Sequence, residues 1–190
     1  NMKAGETLAQ LAGRRGITLV TFHAGFLPHD AGDAERQRML ERLRELAAVF
    51  YDSGTRVGLE TGQEDADTLL GVLDDLKGRG VGVNFDPANM LLYGSGDPVG
   101  ALRKLAPHVV QIHIKDATPS GEASTWGEEV VVGTGTVDWE GCCGVVDDTL
   151  SGIDLLIERE AGGSRVDDIK AARTFVETNC TSGSNRGKRP

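Results

Sequence analysis

The 190-residue sequence has no apolar run of about 18 residues and therefore offers no candidate for a membrane-spanning helix. Residues 1–10 also lack the apolar core of a signal peptide. Basic residues are in deficit, because 20 Lys and Arg against 29 Asp and Glu give a formal net charge of −9. An acidic chain repels a phosphate backbone, which opposes nucleic-acid binding. We expect a cytoplasmic protein without membrane or nucleic-acid partners.

Cysteine is also scarce. The three cysteines, Cys142, Cys143 and Cys180, are odd in number and two are adjacent, which matches neither a disulfide framework nor a zinc knuckle. We expect reduced thiols in or near a helix, as is usual in the cytosol. Two nucleotide-binding signatures are missing too. No Gly-x-Gly-x-x-Gly follows an apolar run, and no lysine follows GTGT at residues 133–136, which we interpret as a turn before a helix.

Five short apolar runs rich in Val, Ile and Leu alternate with stretches of helical periodicity. The runs, at residues 17–22, 56–59, 81–85, 109–112 and 153–157, resemble strands buried on both faces. The helical stretches are residues 33–51, 64–77, 97–106, 138–150 and 164–178. This alternation predicts parallel strands joined by crossover helices, an α/β fold. We expect one domain over residues 1–180 and a disordered polar tail over residues 181–190.

Each predicted strand is followed directly by a side chain that can bind a proton or a metal. These residues are His23, Glu60, Asp86, His113 and Glu158. In a parallel barrel the carboxyl ends of all strands meet at one rim, where activity lies. We therefore expect the five side chains to lie close together. The last four, three carboxylates and one imidazole, suit Mn²⁺, Mg²⁺ or Co²⁺, and ligand type alone also admits Zn²⁺.

Six stretches, in this order, resemble the xylose isomerase-like TIM barrel superfamily and, within it, the sugar phosphate isomerase/epimerase family. They are TFHAG (21–25), GLETG (58–62), NFDPANM (84–90), IHIKD (112–116), VGTGTVDW (132–139) and LLIEREAG (155–162). The resemblance implies a (β/α)8 barrel of which this sequence matches the last five βα units, its C-terminal two thirds. We expect a fragment with two open sheet edges, which would favour a homo-oligomer.

The resemblance also implies roles for individual residues. It implies one divalent metal, with Mn²⁺ expected first, held by Glu60, Asp86, His113 and Glu158. It implies that His23 and Lys115 face the substrate. Asn89 stands where some epimerases of the family carry a histidine, so substrate contacts would differ there. Glu160 is expected behind the site or in solvent.

Such a site would act on a small-molecule sugar or polyol ketone. The metal would polarise the carbonyl and stabilise an enediolate, while a glutamate removes the proton next to the carbonyl. Glu60 and Glu158 come from distant strands, so we expect them on opposite sides of the substrate, one removing the proton and the other returning it. The expected activity is that of a sugar epimerase or aldose–ketose isomerase. Loss of a β-hydroxyl would instead give an inosose dehydratase-type lyase.

Two further functions are alternatives for this sequence. The apurinic endonuclease branch of the same fold needs three zinc ions and more histidines than the four present, and Asn89 replaces one of them. A non-catalytic sugar- or metal-binding homologue stays open. Trp126, in the long connection over residues 118–137, could line a sugar pocket or only pack, and the sequence favours neither.

Overall fold

The computed structural model describes residues 2–122 and 125–180. Its helices are α1 (Met2–Arg15), α2 (Ala34–Asp52), α3 (Ala66–Asp75), α4 (Pro87–Tyr93), α5 (Pro98–Leu105), α6 (Trp139–Thr149) and α7 (Arg165–Asn179). Its strands are β1 (Leu19–Phe22), β2 (Arg56–Glu60), β3 (Val81–Phe85), β4 (Val109–Ile114), β5 (Asp116–Thr118), β6 (Glu128–Val130) and β7 (Leu155–Ile157). Within these ranges no helix combines the length and the apolar character that crossing a bilayer requires. The tail predicted for residues 181–190 lies outside the described residues.

Five strands form a curled parallel half-barrel in the order β1-β2-β3-β4-β7, and β5 and β6 form a separate antiparallel hairpin. All four pairings in the larger sheet are parallel, which confirms the α/β prediction and the five βα units of an incomplete TIM barrel. The core between sheet and helices contains the fully buried Leu59, Val83 and Phe85. Strands β1 and β7 are the two edges of this sheet. The homo-oligomer expected from open edges stays a prediction.

Helices α1 and α4 and the β5–β6 hairpin were not predicted from the sequence. Helix α1 precedes the first strand and contacts α2, where a Cβ on Gly5 would come within 2.6 Å of Leu46. Helix α4 directly follows β3, and it forms because the Asp86 carboxylate accepts the Asn89 N–H at 3.0 Å and Pro87 fits the first helical turn. The hairpin pairs β5, which ends where the long connection of residues 118–137 begins, with β6 inside that connection.

The pairing of β3 with β4 shifts by one residue. Val83 pairs with Val109, but Asn84 pairs with Gln111 and Phe85 with Ile112. Paired residues of parallel strands point to the same side of a sheet, and a one-residue slip reverses every side chain beyond it. With regular pairing His113 would lie on the opposite side from Asp86. The shift therefore brings both side chains to the same side.

Asp116 anchors the chain segment behind the carboxyl end of β4. Its buried carboxylate accepts five N–H groups, from the backbone of Ala117 (2.9 Å), Gly133 (2.9 Å), Gly135 (3.2 Å) and Val137 (3.2 Å) and from Trp139 Nε1 (3.1 Å). The GTGT stretch forms a turn before α6, as predicted, and its glycine amides bind this carboxylate. A Cβ on Gly135 would come within 2.1 Å of the Asp116 carboxylate, so only glycine fits there.

The expectation of three free thiols is wrong for two of them. Cys143 on α6 and Cys180 at the end of α7 form a disulfide across 37 residues, with their Cα atoms 5.0 Å apart. Helices α6 and α7 contact each other, and that contact brings the two cysteines together. The number of cysteines in the sequence does not indicate this pair, because it depends on how the two helices pack. Cys142 is free and buried.

Candidate metal centre

Four side chains converge at the carboxyl ends of β2, β3, β4 and β7. Glu60, Asp86, His113 and Glu158 each offer one ligand atom, and these four atoms all lie within 4.8 Å of one another. His113 Nδ1 is central, at 3.4 Å from Glu60 Oε1, 3.6 Å from Asp86 Oδ2 and 3.4 Å from Glu158 Oε2. The structure therefore brings together the residues that the sequence places at four strand ends.

Two atoms at the centre have no hydrogen-bond partner within the described chain. Asp86 Oδ2 and His113 Nδ1 are both buried and unpaired. Burial raises the pKa of Asp86, and His113 and Lys115 offset this only in part. Burial lowers the pKa of His113, but the carboxylates of Asp86, Glu158 and Glu60 outweigh it and raise the pKa to about 11. A buried carboxylate oxygen and a buried ring nitrogen that make no hydrogen bond are costly unless another group satisfies them.

This donor set fits a divalent cation. Two unpaired buried atoms and two further carboxylates face one point, and oxygen donors with one imidazole suit Mg²⁺, Mn²⁺, Co²⁺ or Zn²⁺. Such a cation would satisfy the unpaired oxygen of Asp86 and the unpaired nitrogen of His113 together. The cluster is therefore a candidate metal-binding site whose ion the geometry does not specify.

Metal binding to this cluster is expected to release about one proton per ion at pH 7, because a ligating nitrogen must lose its proton. His113, with a pKa raised to about 11, is protonated at that pH in the unloaded protein. The apparent affinity should therefore rise about tenfold per pH unit between pH 6 and pH 8. Calorimetric titration with Mn²⁺ in buffers of different ionisation heat measures the proton count. A proton count near zero would contradict a protonated His113 in the unloaded protein. His113→Gln, which has no imidazole proton to release, is the control variant.

Lys115 lies beside the cluster and is almost fully buried. The sequence places it near the end of a strand but does not indicate this burial. Its Nζ donates to Glu158 Oε2 at 3.0 Å and to Glu160 Oε2, and lies 3.8 Å from Asp86 Oδ2. Burial lowers its pKa, but Asp86, Glu160 and Glu158 together raise it above the usual value. The interaction with His113 lowers the pKa of Glu158 to about 2; burial opposes this shift and Lys115 reinforces it. Glu160, expected behind the site or in solvent, is two-thirds exposed and pairs with this lysine.

Two other predicted site residues contact Glu60. Asn89 on α4 donates from Nδ2 to Glu60 Oε1 at 2.9 Å, and His23 Nε2 lies 3.3 Å from the same oxygen. Asn89 is buried, whereas the His23 side chain is 40% exposed and open to a ligand. Both residues hold one oxygen of Glu60 in place.

An aromatic cluster lies at the same end of the sheet. Tyr93 on α4 packs edge-on against Phe26 and against Trp126, with ring centroids 6.3 Å and 5.1 Å apart. The Gly127 N–H donates to Leu92 O at 2.9 Å, which ties the Trp126 segment to α4. Phe26 and Trp126 remain more than half exposed. Trp126 thus packs on Tyr93 and still presents a ring surface to solvent.

Glu64 was missed by the sequence analysis. It follows β2, is 6% exposed, and burial raises the pKa of its carboxyl to about 7. Its unfolded-state pKa is near 4.5, so the unfolded chain ionises first as the pH rises. The stabilising contribution of the neutral Glu64 carboxyl to the free energy of unfolding is fully present below pH 4.5. It is lost as the pH rises from about 4.5 to about 7.

Glu64→Gln is therefore expected to gain stability over the wild type as the pH rises. The difference in the free energy of unfolding should grow by up to about 3 kcal/mol between pH 4 and pH 8. Urea unfolding of metal-free protein at both pH values measures it. The exposed Glu6→Gln serves as the control and should show no such trend. A difference that is flat with pH would contradict the buried carboxyl.

A parallel half-barrel with a carboxylate–imidazole cluster at the carboxyl ends of its strands defines a TIM-barrel protein with a candidate metal centre at the rim. The chain belongs to the xylose isomerase-like TIM barrel family, whose model matches residues 2–178. This confirms the resemblance inferred from the six sequence stretches.

Solved structures of other proteins share this fold. A xylose isomerase domain protein from Planctomyces limnophilus is 32% identical, with a TM-score of 0.88 over 96% of this chain and 65% of its own. An L-ribulose 3-epimerase is 16% identical, with a TM-score of 0.73 over 96% of this chain and 69% of its own. A xylose isomerase-like TIM barrel protein from Mycobacterium smegmatis, in complex with magnesium, is 20% identical, with a TM-score of 0.71 over 94% and 66% of the two chains. The last two likenesses show the fold alone.

A curated relative matches a smaller part. The uncharacterized protein YihM of Escherichia coli (strain K12) is 28% identical over 85 residues, 44% of this chain and 26% of its own. The chain thus spans about a quarter of this relative and 65% of the Planctomyces protein.

Proposed function

We propose that the protein is a divalent-metal-dependent sugar isomerase or epimerase that removes a proton next to a carbonyl. One observation carries the proposal: Glu60 and Glu158 join a single cluster from β2 and β7, around the unpaired His113 Nδ1. An L-ribulose 3-epimerase of the same fold supports the reaction class. Mn²⁺ as the cofactor and a place in cytoplasmic carbohydrate metabolism belong to this proposal.

The four clustered residues would hold one ion, which would polarise a substrate carbonyl and so acidify the adjacent C–H bond. In the unloaded protein the interaction with His113 lowers the pKa of Glu158 to about 2, so this carboxylate is ionised at neutral pH, the form that can accept a proton. Lys115 orients its carboxylate through Oε2. Asn89 holds Glu60 through Oε1. Each glutamate thus has one oxygen fixed by a neighbour.

The reaction needs proton transfers that these two carboxylates can perform. One glutamate, ionised, takes the proton from the carbon next to the carbonyl, and the electron pair of the C–H bond moves towards the carbonyl oxygen. The other glutamate first takes up a proton from solvent and then donates it to carbon. Donation to the opposite face of the same carbon gives an epimer. Donation to the former carbonyl carbon gives an aldose–ketose isomer, with the proton of the neighbouring hydroxyl passing to the former carbonyl oxygen. Exchange with solvent returns each glutamate to its starting state.

The substrate class follows from charge and surface. Three ligand carboxylates and one divalent ion sum to about −1, and the Lys115–Glu160 pair adds no net charge, so a neutral sugar or polyol ketone is favoured. His23, Asn89 and Lys115 are proposed to contact its hydroxyl groups. The exposed rings of Phe26 and Trp126 would pack against the carbons that do not react.

Two measurements on the full chain test the proposal. The first is metal content by elemental analysis after chelation and refilling with Mn²⁺, Co²⁺ or Zn²⁺, for which we expect about one ion per chain. The second is exchange of substrate C–H for C–D in D₂O, followed by proton NMR over a panel of free ketoses and inososes. We expect exchange that requires the metal.

The alternatives give different results. Metal binding without exchange on any sugar would indicate a non-catalytic homologue. Loss of water from an inosose would indicate the dehydratase-type lyase. Three zinc ions per chain would overturn the proposal in favour of phosphoester hydrolysis.

A further inference from the structure

Asn84 contacts the imidazole of the cluster from the side away from the carboxylates. It lies on β3, two residues before Asp86, and is completely buried. Its side-chain amide nitrogen, Nδ2, lies 3.0 Å from His113 Nε2. The other ring nitrogen, Nδ1, faces Glu60, Asp86 and Glu158 at 3.4–3.6 Å. The amide is thus the group that meets the nitrogen pointing away from the cluster.

The two ring nitrogens cannot be treated as equivalent. A neutral imidazole carries its proton on one nitrogen and offers a lone pair on the other, and the partner of the first decides which is which. If Nε2 carries the proton, it needs an acceptor, and Nδ1 presents its lone pair to the carboxylate cluster. If Nδ1 carries the proton, no lone pair is left there for a metal.

An asparagine amide can serve either form, because its oxygen accepts and its nitrogen donates. Asn84 Oδ1 is itself buried without a partner, as are His113 Nδ1 and Asp86 Oδ2. A half-turn of the amide brings Oδ1 to the Nε2–H group. His113 Nδ1 and Asp86 Oδ2 would then both be free to ligate an ion.

We propose that Asn84 is a positioning residue for the metal centre: its Oδ1 accepts the Nε2–H of His113, fixes the ring and directs the Nδ1 lone pair into the carboxylate cluster. The inference rests on the proposed metal site and adds to it the residue that fixes the tautomer of its imidazole ligand. Partners of this kind typically change metal affinity 10- to 100-fold when removed.

Two substitutions separate hydrogen bonding from packing. Asn84→Leu keeps a similar volume but offers no acceptor, and should weaken Co²⁺ and Zn²⁺ binding 10- to 100-fold. Asn84→Asp offers only acceptors, so it should bind at least as tightly as the wild type. Asn179→Leu, an exposed asparagine at the end of α7, is the control and should leave affinity unchanged.

A ¹⁵N NMR spectrum of histidine-labelled protein loaded with Zn²⁺ distinguishes this role from a purely structural one, which would leave the His113 signals unchanged. For His113 in the wild type and in Asn84→Asp we expect a protonated Nε2 and a ligated Nδ1; Asn84→Leu should lose this pattern. Urea midpoints of all variants show whether each is folded. If Asn84→Leu does not fold, the metal affinity of Asn84→Asp and the spectrum of the wild type still test the inference.

Three outcomes would overturn the inference. These are unchanged affinity in Asn84→Leu, weakened binding in Asn84→Asp, or an unprotonated Nε2 in the loaded wild type. No metal bound by the wild type would overturn the proposed function as well, whereas normal wild-type binding with unaffected Asn84 variants overturns this inference alone.

Discussion

Glu158→Gln is expected to lose both the bound ion and turnover. The substitution removes one of the three carboxylates of the cluster, which are proposed to bind the ion, and one of the two groups proposed to move a proton. Metal content should fall from about one ion per chain to well below it, and kcat on any ketose that the wild type converts should fall by about 10³-fold or more. Elemental analysis and the deuterium-exchange assay measure the two effects on the same sample.

The matched control is Glu160→Gln, two residues further along the same strand end. Glu160 is two-thirds exposed and lies outside the cluster of four, although it also pairs with Lys115. It should keep its metal and most of its activity. Full turnover in Glu158→Gln would refute the role given to that carboxylate.

Asp116→Asn is expected to be the most destabilising of the substitutions considered. The amide nitrogen that replaces one oxygen cannot accept a hydrogen bond, so several of the five donors around it, Trp139 Nε1 among them, would be left buried and unpaired. Hydrogen bonds to charged groups are among the stronger ones, and breaking a buried charged network costs about 3–5 kcal/mol. Urea unfolding at pH 7 measures the loss.

Asp148→Asn, at an exposed position near the end of α6, is the control and should change stability by less than about 0.5 kcal/mol. A loss at Asp116 no larger than this control would mean that the carboxylate does not hold the 131–139 segment. Because the segment is held by Asp116, the chain neighbour of Lys115, the metal content of the folded fraction should be recorded too.

The five strands and the residues that follow them were predictable because both are local patterns. Apolar runs bounded by turns predicted the strands, and the structure clusters the side chains at the carboxyl ends of β2, β3, β4 and β7. Convergence followed from a general rule, that the carboxyl ends of parallel strands share one rim. Their roles as metal ligands stay predictions.

Other features depend on contacts that periodicity does not encode. Helix α4 forms because Asp86 caps it, and Asp86 had been assigned only to the metal. The disulfide depends on how α6 and α7 pack. The position of Asn84 near the cluster was predictable. It lies two residues before Asp86 along the chain, so both side chains point to the same side of the sheet.

The register shift between β3 and β4 has a consequence for protein engineering. It changes the odd–even parity of β4 relative to β3, so that position 113 rather than 112 or 114 faces the carboxylates. A designer who grafts these four side chains onto an idealised barrel by matching strand ends would aim the imidazole at the surrounding helices. The cluster can be transferred only together with the register shift, and deletion of one residue of β4 ahead of His113 would turn the histidine away from Asp86.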